Sequence, residues 1–370
     1  MSVIIDKTQQ LMDEYDLNKR LYESFINEIK HQVNSILQAS GITVNAITAR
    51  LKNRDSLKDK IERKDGKYET ISDITDVVGI RIITYFSEDV DKVADIIENE
   101  YDIDRENTID KRESLGEDRF GYCSLHYVVK MSQKRLKLTE YANYKNLKCE
   151  IQIRSVLQHA WAEIEHDIGY KSAITIPKEM RRNFSRIAGL LEIADKEFNE
   201  IRASLLEYED NASRKIDKEE FLDREIDAVI LSTMLKQNAD IIRLNEHIAK
   251  LFGEKLVEFD NHDAEQTIKE LKWFNIITVG QLSKLISNYT DCALKIASEK
   301  LKNYERKSDG KANDLIAFFY LCYAILLNEF LDTEKIEKYL NDLNIGGKKP
   351  KKSTADELYQ LGLKLNGVKK

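Results

Sequence analysis

Residues 147–171, Leu147-Lys-Cys-Glu-Ile-Gln-Ile-Arg-Ser-Val-Leu-Gln-His-Ala-Trp-Ala-Glu-Ile-Glu-His-Asp-Ile-Gly-Tyr-Lys171, change their period halfway along. Leu147, Cys149, Ile151 and Ile153 alternate with Lys148, Glu150, Gln152 and Arg154. Period two predicts a strand with one buried face and one face carrying a carboxylate, an amide and a guanidinium. Leu157, Trp161, Ile164 and Ile168 then recur at four, three and four, the spacing of a helix with one core-facing stripe. Polar groups projected together from a strand cost free energy unless they hold a ligand or each other. A solvated sheet face with incidental ion pairs fits the same pattern.

Upstream, Leu11 to Ile36 keep helical spacing over residues 8–38, with an expected break at Asp16-Leu17-Asn18. Residues 42–52 read as a strand with Thr48, Arg50 and Lys52 on one face, and a basic helix capped by Asp55-Ser56 follows over 57–64. Such cations around a helix start can hold a polyphosphate, although a lone charge run is also what a solvated helix looks like. Residues 72–78 read as a short helix carrying Asp76 into a strand, 79–86, that carries Arg81. A helix over 88–98 and an aperiodic charged loop over 102–119 come next. Residues 121–131 alternate again, with Tyr122, Ser124 and His126 on one face, and a polar hairpin over 132–146 leads back to the opening stretch. A long helix over 177–206, seeded by Ile187, Leu190, Leu191 and Ile193, leads to a polar linker at 207–218. Beyond it every segment reads as helix: about 219–251, 263–272, 279–304, 311–330, 333–342 and 354–366.

Composition bounds the function. The chain of 370 residues, 42% hydrophobic with only two prolines, can bury real cores and is rich in helix. A net charge of -7 argues against coating nucleic acid through bulk charge, without excluding a local basic pocket. No apolar run reaches membrane-span length, the first residues lack a signal-peptide layout, and the four cysteines stand singly. A cytoplasmic protein with reduced thiols is expected.

Chained by helices, the four polar strand faces predict an α/β fold: a mixed β-sheet flanked by helices, with an all-α C-terminal domain. Their convergence would supply cations for a triphosphate, two carboxylates for Mg²⁺ and an aromatic ring for a base, an inventory suited to phosphoryl-type transfer.

Arg50-x-Lys52-x-x-x-Ser56-x-x-x-Lys60, Asp76-Val-Val-Gly-Ile-Arg81, Gly121-Tyr-Cys-Ser-Leu-His126, Glu150-Ile-Gln-Ile-Arg154 and His159-Ala-Trp-Ala-Glu163 together resemble the synthetase domain of the RelA/SpoT family, closest to the small alarmone synthetases. The resemblance covers roughly residues 20–200 and implies a nucleotidyltransferase-like fold. It also implies transfer of pyrophosphate from ATP to the 3′-hydroxyl of GDP or GTP, giving (p)ppGpp. By that resemblance Arg50 and Arg81 sandwich the adenine, and Lys52, Ser56 and Lys60 hold the ATP phosphates. Asp76 and Glu150 bind Mg²⁺, with Glu150 also the general base. Tyr122 stacks on the acceptor guanine, and His126, Gln152 and Arg154 position the acceptor and the migrating group. The family's Lys-Pro-x-Gly-Tyr is here Asp118-Arg119-Phe120-Gly121-Tyr122, which leaves Lys111, Arg112 or Arg119 as stand-ins for acceptor-phosphate contacts.

The expected domains are a synthetase domain at 1–206, a linker at 207–218 and a regulatory or neutralising helical domain at 219–370, with a homo-oligomer as a further expectation. An alternative is a toxic relative that pyrophosphorylates the tRNA 3′ end, using Arg181, Arg182, Arg186 or the 348–352 lysines as a basic track, with the C-terminal part as a fused antitoxin. A catalytically dead binding module is disfavoured by the presence of both Asp76 and Glu150. His159, Glu163 and His166 share a helix face, but a packed or substrate-facing histidine suits them better than a metal triad. His262-Asp263 copies the dipeptide of the family's hydrolase domain without partner histidines, so hydrolase activity is not expected.

Overall fold

A computed structural model describes residues 2–64, 66–110, 124–171, 178–216, 218–253, 255–302, 312–346 and 350–365. The chain divides into two compact units, Met1–Ala203 and Ser204–Lys370.

In the first unit α1 (Ser2–Ala39) leads to β1 (Val44–Leu51), α2 (Arg54–Arg63), β2 (Val78–Thr84), α3 (Glu88–Glu100), β3 (Tyr101–Ile103), β4 (Ile109–Asp110) and β5 (Leu125–Met131). A short α4 (Gln133–Leu136), β6 (Cys149–Ser155), α5 (Val156–Lys171) and α6 (Lys178–Lys215) follow. The six strands form one mixed sheet in the order β1-β2-β6-β5-β3, with β4 also on β5. Only β2 and β6 pair in parallel. Opposite residues of paired strands share a face, so the register aligns Thr48, Arg81, Gln152 and His126 in one row. Arg50, Gly79 and Glu150 make the next row on that same face. The other face is apolar: Ile80, Ile82, Ile151, Ile153 and Leu125 are buried with Phe25, Ile29 and Val33 of α1 and Val93 and Ile97 of α3. Burial of those side chains, at roughly 1.5–3 kcal/mol each before entropy, fixes which face remains for polar chemistry.

Several expectations change. The break at Asp16-Leu17-Asn18 is absent; α1 runs through it because Asp16 and Leu17 lie on its solvent side. Asn53, and not Asp55-Ser56, caps α2, accepting from the amide of Asp55. The helix expected at 72–78 is a single 3-10 turn, Ile71–Asp73, closed by a capping box between Thr70 and Asp73. Residues 102–119 are not wholly loop, since β3 and β4 pair with β5 at its described end. The polar hairpin at 132–146 contains α4 and a 3-10 helix, Thr139–Tyr144.

Both helices after β6 carry apolar residues that are exposed among the described residues. Ile164 is 55% exposed and Ile168 is exposed too, so the Leu157/Trp161/Ile164/Ile168 stripe is not a core stripe. On α6 the amphipathicity is inverted. Asp195 accepts from the Ser155 hydroxyl at 2.7 Å, Asn199 donates to Ser87 at 2.8 Å, and Arg202 pairs with Asp89 at 2.7 Å. Its polar residues thus fasten it inward while Ile187, Leu190, Ile193, Phe198 and Ile201 face outward. The stretch 207–218, expected as a linker, continues α6 as far as Lys215.

The second unit is all helix: α7 (Glu219–Leu222), α8 (Ala228–Gln237), α9 (Ala239–Phe252), α10 (Asn261–Trp273), α11 (Val279–Leu301), α12 (Ile316–Glu329), α13 (Thr333–Asp342) and α14 (Lys351–Leu365). The single helix expected over 219–251 is three, because Asp227 and Asn238 each cap a new start. Thr278 caps α11 as expected, in a box with Gln281. Asp263, half of the His-Asp dipeptide, is committed to a reciprocal cap with Asp260 at the start of α10. The centre is α12, buried on nearly every side from Ala317 to Leu327.

One buried acid in this unit has a testable consequence. Glu270 on α10 is 7% exposed and accepts the Tyr339 hydroxyl of α13. Burial pushes its carboxyl up to about 8, against the opposing effect of the Tyr339 bond. A folded-state value above the unfolded one means that the folded chain holds the proton longer. The stabilisation is therefore complete below the ordinary value of 4.5 and is lost as pH rises through about 8. Between about pH 5 and about pH 8, wild-type melting temperature should fall more steeply than that of Glu270→Gln, which cannot ionise at this position. Parallel pH–Tm curves for the two proteins would contradict this.

Candidate active site

The polar face of the first unit's sheet borders a cavity of about 220 Å³ lined by Thr48, Arg50, Asp76, Arg81, Glu150, Gln152 and Glu163, with Ala49, Gly79 and Ile80 beside them. Strand alternation puts Thr48 and Arg50 of β1, Arg81 of β2 and Glu150 and Gln152 of β6 on one side. Arg50 lies beside Gly79 of β2, where a Cβ would meet the Arg50 Cγ at 3.6 Å, an ordinary van der Waals contact.

Asp76 enters from the connection before β2 and is held by two cations. Lys52 Nζ lies 2.8 Å from one carboxylate oxygen, and Lys60 Nζ of α2 lies 2.7 Å from the other. Burial raises the Asp76 carboxyl, but the two lysines outweigh it and leave it below the usual range. Glu150 behaves alike: burial raises it, while His126 and Gln152 bring it down. Both groups are therefore carboxylates at neutral pH.

Around Glu150 the side chains close into a ring. His126 Nδ1 faces Glu150 Oε1 at 3.3 Å, and Gln152 Nε2 donates to Glu150 Oε2 at 2.8 Å. Arg154 Nη2 donates to Gln152 Oε1 at 3.0 Å and lies 3.5 Å from His126 Nε2. The Ser124 hydroxyl meets that same Nε2 at 2.7 Å. Burial, with Arg81 and Arg50 nearby, lowers Arg154 to about 10, and its buried Nε has no hydrogen-bond partner among the described residues. A guanidinium in that state favours an anion placed beside it.

The structure thus gathers nine of the expected residues. Arg50, Asp76, Arg81, Glu150 and Gln152 line the cavity, Lys52 and Lys60 hold Asp76, and His126 and Arg154 complete the Glu150 ring. Ser56 stands apart from the lining, exposed on the first turn of α2. Tyr122, Lys111, Arg112 and Arg119 lie outside the described residues. Two members were not expected in the site. Glu163 of α5 pairs with Arg81 at 2.9 Å, so its carboxylate is committed to a cation. Ser124 bonds His126, and its place on the polar face was the one signal for it.

Asp76 and Glu150 are the side chains that could hold a hard divalent cation. Among the described residues no three His, Cys, Asp or Glu side chains gather as an all-protein metal cage. Two carboxylates beside free space suit a cation that arrives with phosphate and water ligands.

Residues 49–175 match the family model described as a region found in RelA / SpoT proteins. The GTP pyrophosphokinase YjbM of Bacillus subtilis is 28% identical over 200 residues, covering 52% of this chain and 91% of that protein. The GTP pyrophosphokinase YwaC of the same organism is 24% identical, again over 52% of this chain. Among solved structures, small alarmone synthetase 1 from Bacillus subtilis aligns with a TM-score of 0.45 and 26% identity, over 53% of this chain and 99% of that one. Residues 49–175 are accordingly a RelA/SpoT domain, and the N-terminal half of the chain is homologous to the small alarmone synthetases.

Proposed function

We propose that this protein transfers the β,γ-pyrophosphate of ATP to the 3′-hydroxyl of GDP or GTP, making (p)ppGpp. The observation that carries this reading is the pairing of Asp76 and Glu150 in one cavity with Arg50 and Arg81, beside Lys52 and Lys60. The arginines offer flat cations for the base, and the lysines offer point charges for the phosphates. Asp76 and Glu150 would hold Mg²⁺, which when bound neutralises charge on the transferred group. Glu150, a carboxylate with fixed orientation, takes the proton of the acceptor hydroxyl. Arg154 would face the migrating pyrophosphate, and Tyr122 would stack on the acceptor base. The buried free thiols Cys149 and Cys322 support a reducing, cytoplasmic setting. Among the described residues no helix is long and apolar enough to cross a membrane.

Purified protein with labelled ATP and either GDP, GTP or bulk tRNA tests the acceptor. Label should enter the guanosine nucleotides; label confined to tRNA would replace this reading with tRNA 3′-end pyrophosphorylation.

We also propose that the exposed apolar residues of α6 pair with a second copy. Ile187, Leu190, Ile193, Phe198 and Ile201 are exposed along this one helix, apolar area of the kind that a partner helix covers. Sedimentation should give a dimer or larger, and Phe198→Glu with Ile201→Glu should give a monomer. A wild-type monomer at tens of micromolar would refute that pairing.

A further inference from the structure

The segments that carry Lys52, Lys60 and Asp76 are fastened to one turn of α1. Lys52 is the first residue beyond the β1–β2 ladder, which ends at the Leu51–Val78 pair. Its amide donates to the Val77 carbonyl at 2.9 Å, and its ammonium reaches Asp76, the residue before Val77. Its carbonyl is taken by a third segment: the Tyr15 hydroxyl of α1 donates to it at 2.9 Å. A carbonyl can only accept, so the phenol is the donor and the direction of this bond is fixed. Tyr15 is 2% exposed and stacks on Tyr22 with ring centroids 5.9 Å apart, so a firmly packed ring delivers the hydroxyl.

The residues on either side of Tyr15 reach the same segments. Glu14 accepts from the Ile71 amide at 3.3 Å, on the turn that leads to Asp76. Asp16 accepts from Arg54, the first residue of α2, at 3.0 Å. The Asp16–Arg54 pair is exposed and contributes little. The Glu14 bond is long. Tyr15 is the buried member of the three, and losing its hydroxyl would leave a half-buried carbonyl without this partner.

We propose that Tyr15 is a positioning residue for the donor side: its hydroxyl fixes the backbone of Lys52, and with it the reach of the Lys52 ammonium toward the ATP phosphates. The proposal rests on the reading of Lys52 as a phosphate contact. Tyr15 touches no nucleotide in this account and acts through the lysine. The acceptor side stands on β5 and β6, which β2 separates from β1, so the defect should fall on ATP.

The test measures binding of an ATP analogue with a methylene bridge between the α- and β-phosphates, by calorimetry on the full chain with Mg²⁺. Tyr15→Phe, which keeps the ring and removes only the hydroxyl, should weaken binding by about three- to tenfold. The same change made in Lys52→Ala should alter binding by less than about twofold, because the lysine through which Tyr15 acts is gone. In steady-state assays Tyr15→Phe should raise KM for ATP by a similar factor and leave KM for the acceptor within about twofold. A Tyr15→Phe protein that melts lower but binds the analogue as wild type does would reduce the hydroxyl to a structural role and overturn the proposal. Equal weakening with and without Lys52 would overturn it too, since the effect would not pass through the lysine. An equal rise in both KM values would do the same, and needs no lysine variant. If wild type itself binds no analogue, it is the donor-site reading that fails.

Discussion

Glu150→Gln should reduce pyrophosphate transfer by at least about 100-fold and leave the far-ultraviolet circular dichroism of the protein unchanged. The expectation follows from three losses at one position. An amide cannot take the proton of a hydroxyl at neutral pH, so the general-base contribution, typically about 10²–10⁴, disappears. Its nitrogen would face either Gln152 Nε2, itself a donor, or His126 Nδ1, so in one of the two orientations the Gln152 bond becomes a conflict. A carboxamide is also a poor ligand for a hard divalent cation compared with a carboxylate. The fold is spared because β6 is held by its ladders and by Cys149, Ile151 and Ile153 in the core, none of which changes. Initial-rate measurements with saturating ATP and acceptor check it; retention of more than about a tenth of wild-type turnover would remove Glu150 from the role of base.

Asp76→Asn should lower kcat/KM for ATP by about 100-fold or more, through a different route. Here the carboxylate neutralises two lysines, each oxygen committed to one ammonium. Asparagine offers one neutral oxygen, so at least one of Lys52 and Lys60 loses its partner and the two cations repel across the gap. Asp76 holds both lysines, and under the proposed function their placement for the triphosphate would depend on it. The loss should therefore fall on ATP use, whereas KM for the acceptor should change by less than about threefold. Equal damage to ATP and acceptor KM would mean that Asp76 supports the whole cavity and not the donor side.

The sheet and most of its chemistry were legible in the amino-acid order. Alternation in β1, β2 and β6 marks Arg50, Arg81, Glu150 and Gln152 as one-sided, and that side is where they stand. What alternation cannot reveal is register. That Glu150 lies opposite Gly79, or His126 opposite Gln152, depends on contacts between distant segments. The Ser124–His126–Glu150 ring was therefore out of reach, as was the Arg81–Glu163 pair between β2 and α5. The stripes of α5 and α6 misled for another reason. Periodicity reports that an apolar face exists, not that the same unit covers it, and the inward anchors of α6 are Asp195, Asn199 and Arg202. At 72–78 the expected helix is one turn, because the Asp73 carboxylate accepts from the amides of Glu69 and Thr70 and closes it there.

The most direct test of the central claim follows the two terminal phosphates of ATP together. Protein is incubated with GDP and ATP labelled in the β-phosphate, then in parallel with ATP labelled in the γ-phosphate, and nucleotides are separated. Pyrophosphate transfer places either label on the 3′-position of the guanosine product and releases AMP in equal amount. Release of ADP, with the γ-label alone on the acceptor, would make the enzyme a simple kinase and contradict the account.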